Sequence, residues 1–219
     1  MTKSQLIALG FGFFRVSRLH RLFRFWTRGQ GAILMFHHVR PWQDRDFAPN
    51  RLLEITPDFL DAVVNELRRQ NFEIVSLDAA LTAGPRERPF AVLTFDDGYR
   101  DFAHHALPVL ERHAAPFTLY VATGFAERSA RLWWVELEAA IARLDAVEVD
   151  IEGVRHAWLA RDAAEKRVAF ADLYRVLRAG SEERLLGVIA QLGAAAGVDP
   201  RMLVEDLCLD WSGIEALAG

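Results

Sequence analysis

Three features of the sequence predict a parallel α/β fold. Short apolar runs at Ala32–Phe36, Phe72–Leu77, Phe90–Phe95 and Phe117–Val121 alternate with helix-spaced segments, as strands joined by crossover helices do. Phe90–Phe95 is apolar nearly throughout, which suits a strand covered on both faces. That run ends in Thr94-Phe95-Asp96-Asp97-Gly98, and the carboxyl edge of such a sheet is where α/β proteins build their sites.

Residues 1–30 form a basic leader. At 100° per residue Val16, Leu19, Phe23 and Trp26 share one face and Arg18, Arg21, Arg24 and Arg28 the opposite one, which predicts an amphipathic helix. Ala32–Phe36 is the first strand. Thr56-Pro57 supplies a cap and an N1 proline for a helix to about Gln70, whose Phe59, Val63 and Leu67 recur every four residues. Phe72–Leu77, Phe90–Phe95 and Phe117–Val121 are the next strands, with a helix from about Phe102 to His113 between the last two. From about Leu132 the character changes: a helix to Leu144, then a hairpin of Val147–Ile151 and Val154–Trp158 turning at Glu152-Gly153. Helices follow, opened by the Asp162/Glu165 pair, Ser181, Asp199-Pro200 and a Ser212/Glu215 capping box. The chain thus divides into 1–30, a β/α region 31–126 and a mostly helical region 127–219.

Two adjacent carboxylates at a strand end can divide labour, one binding a divalent cation while the other accepts a proton. Asp-Gly is equally a favoured turn dipeptide. No two histidines stand at i, i+4; His104 and His105 are neighbours, pointing about 100° apart on a helix, and with His113 and His156 they read as surface or helix-end residues. Trp133 and Trp134 read as core anchors or as a platform for a sugar ring.

TFDDGYRD, followed by LPVLERHAAPFTLYVATGF and preceded by ILMFHHVRP, resembles the polysaccharide deacetylase family, the NodB-homology domain, from Gly31 to about Phe125. The resemblance implies that Asp96 is the catalytic base and Asp97 a metal ligand, with His37, Gly98 and Tyr99 at the substrate cleft; His38 has no counterpart. It implies a distorted seven-stranded β/α barrel, of which 31–126 is the N-terminal part and 127–219 an insertion. The implied chemistry is metal-assisted removal of an N-acetyl group from an aminosugar polymer or chitooligosaccharide. Zinc is the first choice of metal, with nickel and cobalt suiting similar ligands. The family's His-Ser/Thr-x-x-His motif, which completes the metal site, does not occur in the sequence, nor do its later arginine, aspartate and Leu-His motifs. Four strands cannot close a barrel, and the last helix reaches Gly219 after scarcely two turns. The expectation is therefore an incomplete barrel from a longer deacetylase, truncated before its second motif, which binds zinc weakly and releases no acetate. The alternative is a non-catalytic carbohydrate-binding or membrane-associated module.

With 219 residues and 52% hydrophobic side chains, one or two globular domains are expected. Cys208 is the only cysteine, so no internal disulfide forms. The net charge of −4 conceals an asymmetry: seven bases precede the first acid, Asp44, and removing them from 26 leaves 19 against 30 acids. The leader suits an anionic membrane surface or a helix packed on the domain. Its apolar stretch, Leu6–Phe14, is far short of the ~20 residues of a membrane span. Arginines follow that stretch rather than precede it, so no cleavable signal is expected, and the predicted location is cytoplasmic or on the inner-membrane surface. The acidic body argues against a nucleic-acid partner. A phosphotransfer site of the haloacid-dehalogenase type would need Asp-x-Asp-Gly spacing, which Asp96-Asp97-Gly98 lacks.

Overall fold

Strand β1 (Gly31–Phe36) pairs in parallel with β5 (Phe90–Phe95) along its whole length, Leu34 opposite Leu93 and Phe36 opposite Phe95. The structure, a computed structural model, describes residues 3–17, 29–82, 84 and 87–218. Within these the expected parallel α/β class holds, as an open four-stranded sheet rather than a closed barrel. The other edge of β5 is shared. Strand β4 (Glu73–Ile74) pairs with its first half, and β6 (Phe117–Leu119) with its second. This tandem arrangement explains why the second and fourth strands are shorter than their apolar runs: each finds only half an edge. Leu77 instead begins helix α3 (Leu77–Thr82), which Ser76 caps through the Ala79 amide at 3.2 Å. At the sheet's amino end a Cβ on Gly31 would lie 2.6 Å from the Phe90 ring, so glycine lets that ring lie across β1.

Odd and even positions divide the sheet faces. Leu34, Phe36, Leu93, Phe95, Phe117 and Leu119 face the helices, where Phe95 meets Phe36, Phe102 and Phe117 at 5.3, 4.9 and 6.5 Å between ring centroids. Helix α2 (Pro57–Arg69), capped by Thr56 at the Phe59 amide, packs here through Leu60, Val64 and Leu67. The predicted stripe of Phe59, Val63 and Leu67 is thus displaced by one residue, and Phe59 is exposed. The helix expected from Phe102 to His113 opens as a π turn, Phe102–Ala106, before α4 (Leu107–Arg112). Pro108 explains the widening, since its ring cannot sit over the His104 carbonyl of a regular α turn. On the opposite face Ile33 and Met35 are exposed.

Strands β2 (His38–Val39) and β3 (Glu54–Ile55), linked through a 3₁₀ turn at Pro49–Leu53, form a two-residue parallel pair beside the sheet. After the short helix α5 (Thr123–Ala126), α6 (Trp133–Arg143) starts the second region, whose hairpin of β7 (Ala146–Ile151) and β8 (Val154–Leu159) turns at Glu152 and Gly153 with φ of 55° and 79°. Two left-handed residues match the right-handed twist of a hairpin. Val147, Val149 and Ile151 face inwards onto α6, α7 (Ala163–Arg178) and α8 (Glu182–Ala195) around Leu137, Ile141, Leu173 and Ile189. Asp162, Ser181 and Asp199 cap α7, α8 and α9 (Pro200–Leu207). The last helix, α10 (Trp211–Ala218), is capped by Asp210, not by Ser212. Asp210 accepts from the Gly213 amide at 2.8 Å and from the Ser212 hydroxyl at 2.7 Å.

Helix α1 (Lys3–Ser17) leaves Leu6, Leu9, Phe11, Phe13 and Val16 exposed. Arg18, Arg21, Arg24 and Arg28, with Leu19, Phe23 and Trp26, lie outside the described residues. No helix among the described residues is long and apolar enough to cross a membrane.

Phe95 joins β5 to three other aromatic rings with no exposure of its own. Phe95→Ala is expected to cost about 3–5 kcal/mol of unfolding free energy, read from urea denaturation. A loss below about 1 kcal/mol would mean that the sheet does not depend on this ring.

Candidate active site

The β5 ladder delivers the two acids. Asp96 still belongs to the sheet, its amide bonding the Phe36 carbonyl at 2.9 Å, and it continues the alternation onto the open face. There it lines a cleft of about 500 Å³ with Ile33, Met35, Thr94 and Tyr120. Asp97 then turns out of the strand with φ of 72°, and Gly98 follows at 69°. Asp is among the few residues that take a left-handed conformation at low cost, and glycine takes it freely. The turn reading of Asp-Gly therefore holds, and the turn is what separates the two carboxylates. Asp97 lines both the smaller cleft and a larger one of about 1120 Å³, whose wall also holds His37.

His37 leaves β1 at the same sheet edge, with Nε2 4.0 Å from Asp96 Oδ2. The structure therefore brings Asp96, Asp97 and His37 together. Gly98 and Tyr99 do not line either cleft, contrary to the sequence expectation; both are buried behind the acids. Gly98 accepts the Leu209 amide at 2.9 Å, and Tyr99 bridges to Cys208, so the end of α9 holds the turn from behind. Arg128 adds a clamp, donating to the carbonyls of Phe125, Cys208 and Leu209.

Sequence reasoning passed over His38. It is buried, bonds Asp101 through Nδ1 at 2.6 Å and stacks on Tyr99 with ring centroids 3.6 Å apart. Asp101 also accepts the Val39 amide at 3.3 Å, tying β2 to the acid turn. The final Asp of TFDDGYRD carried that signal, since an acid one turn beyond a buried strand is placed to meet a histidine from the neighbouring strand. His113 and His156 have structural partners. His113 closes α4 and pairs with Asp61 at 2.8 Å, and His156 stacks on Trp158.

Burial pushes the Asp97 carboxyl above the ordinary carboxylate range; His37 and Tyr99 oppose the shift and Asp96 adds to it. The Tyr99 hydroxyl, held protonated by burial, lies near Asp97 and Trp134 yet makes no hydrogen bond of ordinary geometry. Trp134 Nε1 is likewise buried and unpaired among the described residues. Two orphaned donors thus border the acid, a costly arrangement in a low-dielectric setting. Burial also pushes the Cys208 thiol up to about 12, so it is not a thiolate ligand. Among the described residues no three His, Cys, Asp or Glu side chains gather into a metal site. Asp97 with His37 nearby falls short of the three protein ligands that a catalytic zinc takes, so the described donor set does not fit a resident ion.

Residues 83–175 match the family model for polysaccharide deacetylase, less than half of the 219 residues. The resemblance to the polysaccharide deacetylases stands. The matched stretch holds β5, the acid turn and most of α7, while His37 and the Pro49–Leu53 turn that also line the larger cleft lie outside it. Similar solved structures include the Streptococcus pyogenes deacetylase PplD in complex with acetate, 25% identical over 45% of this chain and 45% of that one, with a TM-score of 0.37. IcaB from Ammonifex degensii is 23% identical over 43% of this chain and 39% of its own, with a TM-score of 0.37. A de-N-acetylase from Aggregatibacter actinomycetemcomitans is 18% identical over 61% of this chain and 46% of its own, with a TM-score of 0.37. The chain spans less than half the length of each. A search of curated proteins found no match.

Because the folded Asp97 holds its proton to higher pH than the unfolded chain, whose value is near 3.8, the native state binds more protons between the two values. This group's contribution to stability accordingly falls as pH rises through that window. Asp97→Asn, which cannot ionise, is expected to melt above the parent at pH 7 in metal-free buffer, the gap closing below about pH 3.8. A gap that stays constant down to pH 3 would contradict burial as its cause.

Proposed function

We propose that this chain carries the acid-bearing part of a hydrolase that removes N-acetyl groups from an aminosugar polymer or oligomer, chitooligosaccharides included. The supporting observation is the convergence of Asp96, Asp97 and His37 at the carboxyl edge of β5, where Asp97 and His37 open on a cleft with an aromatic wall and Asp96 on the smaller cleft that Asp97 also lines. In this reading Asp96, half-buried on the open face, accepts the proton of the attacking water. His37, with Nε2 4.0 Å from Asp96, would receive that proton and then donate it to the nitrogen of the leaving amine. Asp97 would be one ligand of a divalent cation, zinc first, if further ligands came from beyond the described residues, and such an ion would supply Lewis-acid polarisation of the acetyl carbonyl. Trp133 and Tyr174 offer ring faces to the sugar. The missing ligands favour a second reading, a sugar-binding module without turnover, and acetate release separates the two.

The test is saturation-transfer NMR with tetra-N-acetylchitotetraose, where the acetyl methyl protons are expected to receive the most saturation and Trp133→Ala to reduce it. Uniform transfer along the oligomer, or none, would overturn the reading. In an intact enzyme that supplies the remaining metal ligands, Asp96→Asn should lower acetate release about 10²- to 10⁴-fold while leaving zinc binding intact. Asp97→Asn should raise the zinc requirement instead, and a calorimetric result in which Asp96→Asn is the variant that loses zinc would reverse the two roles.

The leader fits peripheral attachment to an anionic membrane, and the exposed apolar residues of α1 support this. Sedimentation with phosphatidylserine vesicles should capture the chain, less so at high salt. Equal capture by phosphatidylcholine vesicles would remove the electrostatic part of the idea.

A further inference from the structure

The larger cleft has an asymmetric charge. Asp97 is the only carboxylate on its wall, whereas Arg167, Arg175 and Arg178 all line it. This occurs in a body that holds 19 bases against 30 acids once the seven bases before Asp44 are set aside, so the average surface would supply the opposite sign. All three arginines stand on α7, at i, i+8 and i+11, with Ala171 and Tyr174 between them on the same helical face. At 1.5 Å per residue they span about 16 Å, a groove for a run of sugar rings rather than a point site.

Their partners leave charge to spare. Arg167 donates to the Asp46 carbonyl, which satisfies a donor without neutralising the cation. Arg178 has no carboxylate partner among the described residues, and its guanidinium lies over the Trp133 ring at 6.0 Å from the centroid. Arg175 alone has an acid, Asp172 at 3.0 Å, and both of these are well exposed. Between the arginines runs an aromatic strip: Phe170 stacks on Tyr174 at 5.7 Å, and Tyr174 meets Trp133 at 5.3 Å. Ring faces that accept a sugar, from α6 and α7, therefore lie beside planar forks on α7 that accept a carboxylate or phosphate.

We propose, resting on the deacetylase reading above, that the substrate is an anionic glycan, an N-acetylated aminosugar flanked by a carboxylate or phosphate, and that α7 reads the negative group while Asp96 and Asp97 face the acetamide. A neutral chitin-like oligomer would offer no anion to Arg178, which has no carboxylate partner among the described residues, or to the charge that Arg167 keeps at the Asp46 carbonyl. Anionic groups would also be steered into the cleft from solution.

Calorimetry on the whole chain at low salt tests this with four probes: tetra-N-acetylchitotetraose as the neutral case, a hyaluronan tetrasaccharide for uronate, N-acetylglucosamine 1-phosphate for phosphate, and inorganic phosphate alone. One of the two anionic sugars is expected to bind about tenfold more tightly than the neutral oligomer, and which one does so identifies the anion. The advantage should shrink with added sodium chloride and vanish in the Arg175→Gln/Arg178→Gln double variant, whose affinity for the neutral oligomer is unchanged. Arg178→Lys should retain part of it, because the charge remains and the fork does not. Both arginines are exposed, and an unaltered melting temperature confirms that the variants fold. Neutral oligomer binding as tightly as the tighter of the two anionic sugars, or anionic binding indifferent to the double variant, overturns the proposal while leaving the acetyl-methyl contact free to stand. Inorganic phosphate binding as tightly as the sugar phosphate overturns it too, by showing an anion site that reads no sugar.

Discussion

Where β5 ends, the backbone passes twice through positive φ, at Asp97 and at Gly98, and the placement of every group in the cleft follows from that passage. Were the strand simply to continue, successive side chains would fall on opposite faces of the sheet and Asp97 would point towards the helices with Phe95. The left-handed pair lifts it out, so that Asp96 stays on the open face and Asp97 opens on the cleft under α7. The same turn places the Gly98 carbonyl where the Leu209 amide can reach it and Tyr99 where it stacks on His38. One local departure from strand geometry thus sets the acids, their brace and the contact with the helical region.

This arrangement detracts from stability at several points. Asp97 adopts a conformation that glycine would hold more easily, its carboxylate is partly stripped of water, and the Tyr99 hydroxyl and Trp134 indole lie buried without partners. The buried acids elsewhere are better provided for. Buried Glu136 takes two bonds from Arg131, and Glu54 receives both Arg40 and Arg45, which overcome the effect of its burial and lower its pKa. At the strand end a positive-φ acid raised in pKa by burial and two unpaired donors occur together, and strain of that kind collects at functional sites.

Legibility in the sequence followed the range of the physics. β5 was found to the residue because a strand buried on both faces writes an unbroken apolar run, and the hairpin because Val147, Val149 and Ile151 alternate up to a Glu-Gly turn. The caps at Thr56, Asp162, Ser181 and Asp199 act within three residues and were equally plain. What depended on distant partners was not. The shortening of β4 reflects β6 taking the rest of one edge, the stripe on α2 was displaced by the angle at which the helix meets Phe95, and Gly98 and Tyr99 were put in the cleft because nothing local announced α9 behind them. Asp210 displaced Ser212 as a cap through a choice between two nearby acceptors that spacing alone does not decide. The arginine wall of α7 reads in one dimension as an ordinary solvated helix face; only its position opposite Asp97 gives it a role.

The clamp between the acid turn and the end of α9 also carries a consequence for the order in which the molecule is made. Arg100 donates to the Glu205 carbonyl, 105 residues downstream, and Gly98 is joined to Leu209 across a still longer interval. Contacts so far apart in sequence form late, because the loop between them must first be closed. A ribosome releasing this chain from the amino end exposes the sheet and its acids well before the segment that secures them exists. The two acids are therefore synthesised before the segment that fixes them in place, and a nascent chain holds the parts of the cleft without its geometry until the second region has folded against it.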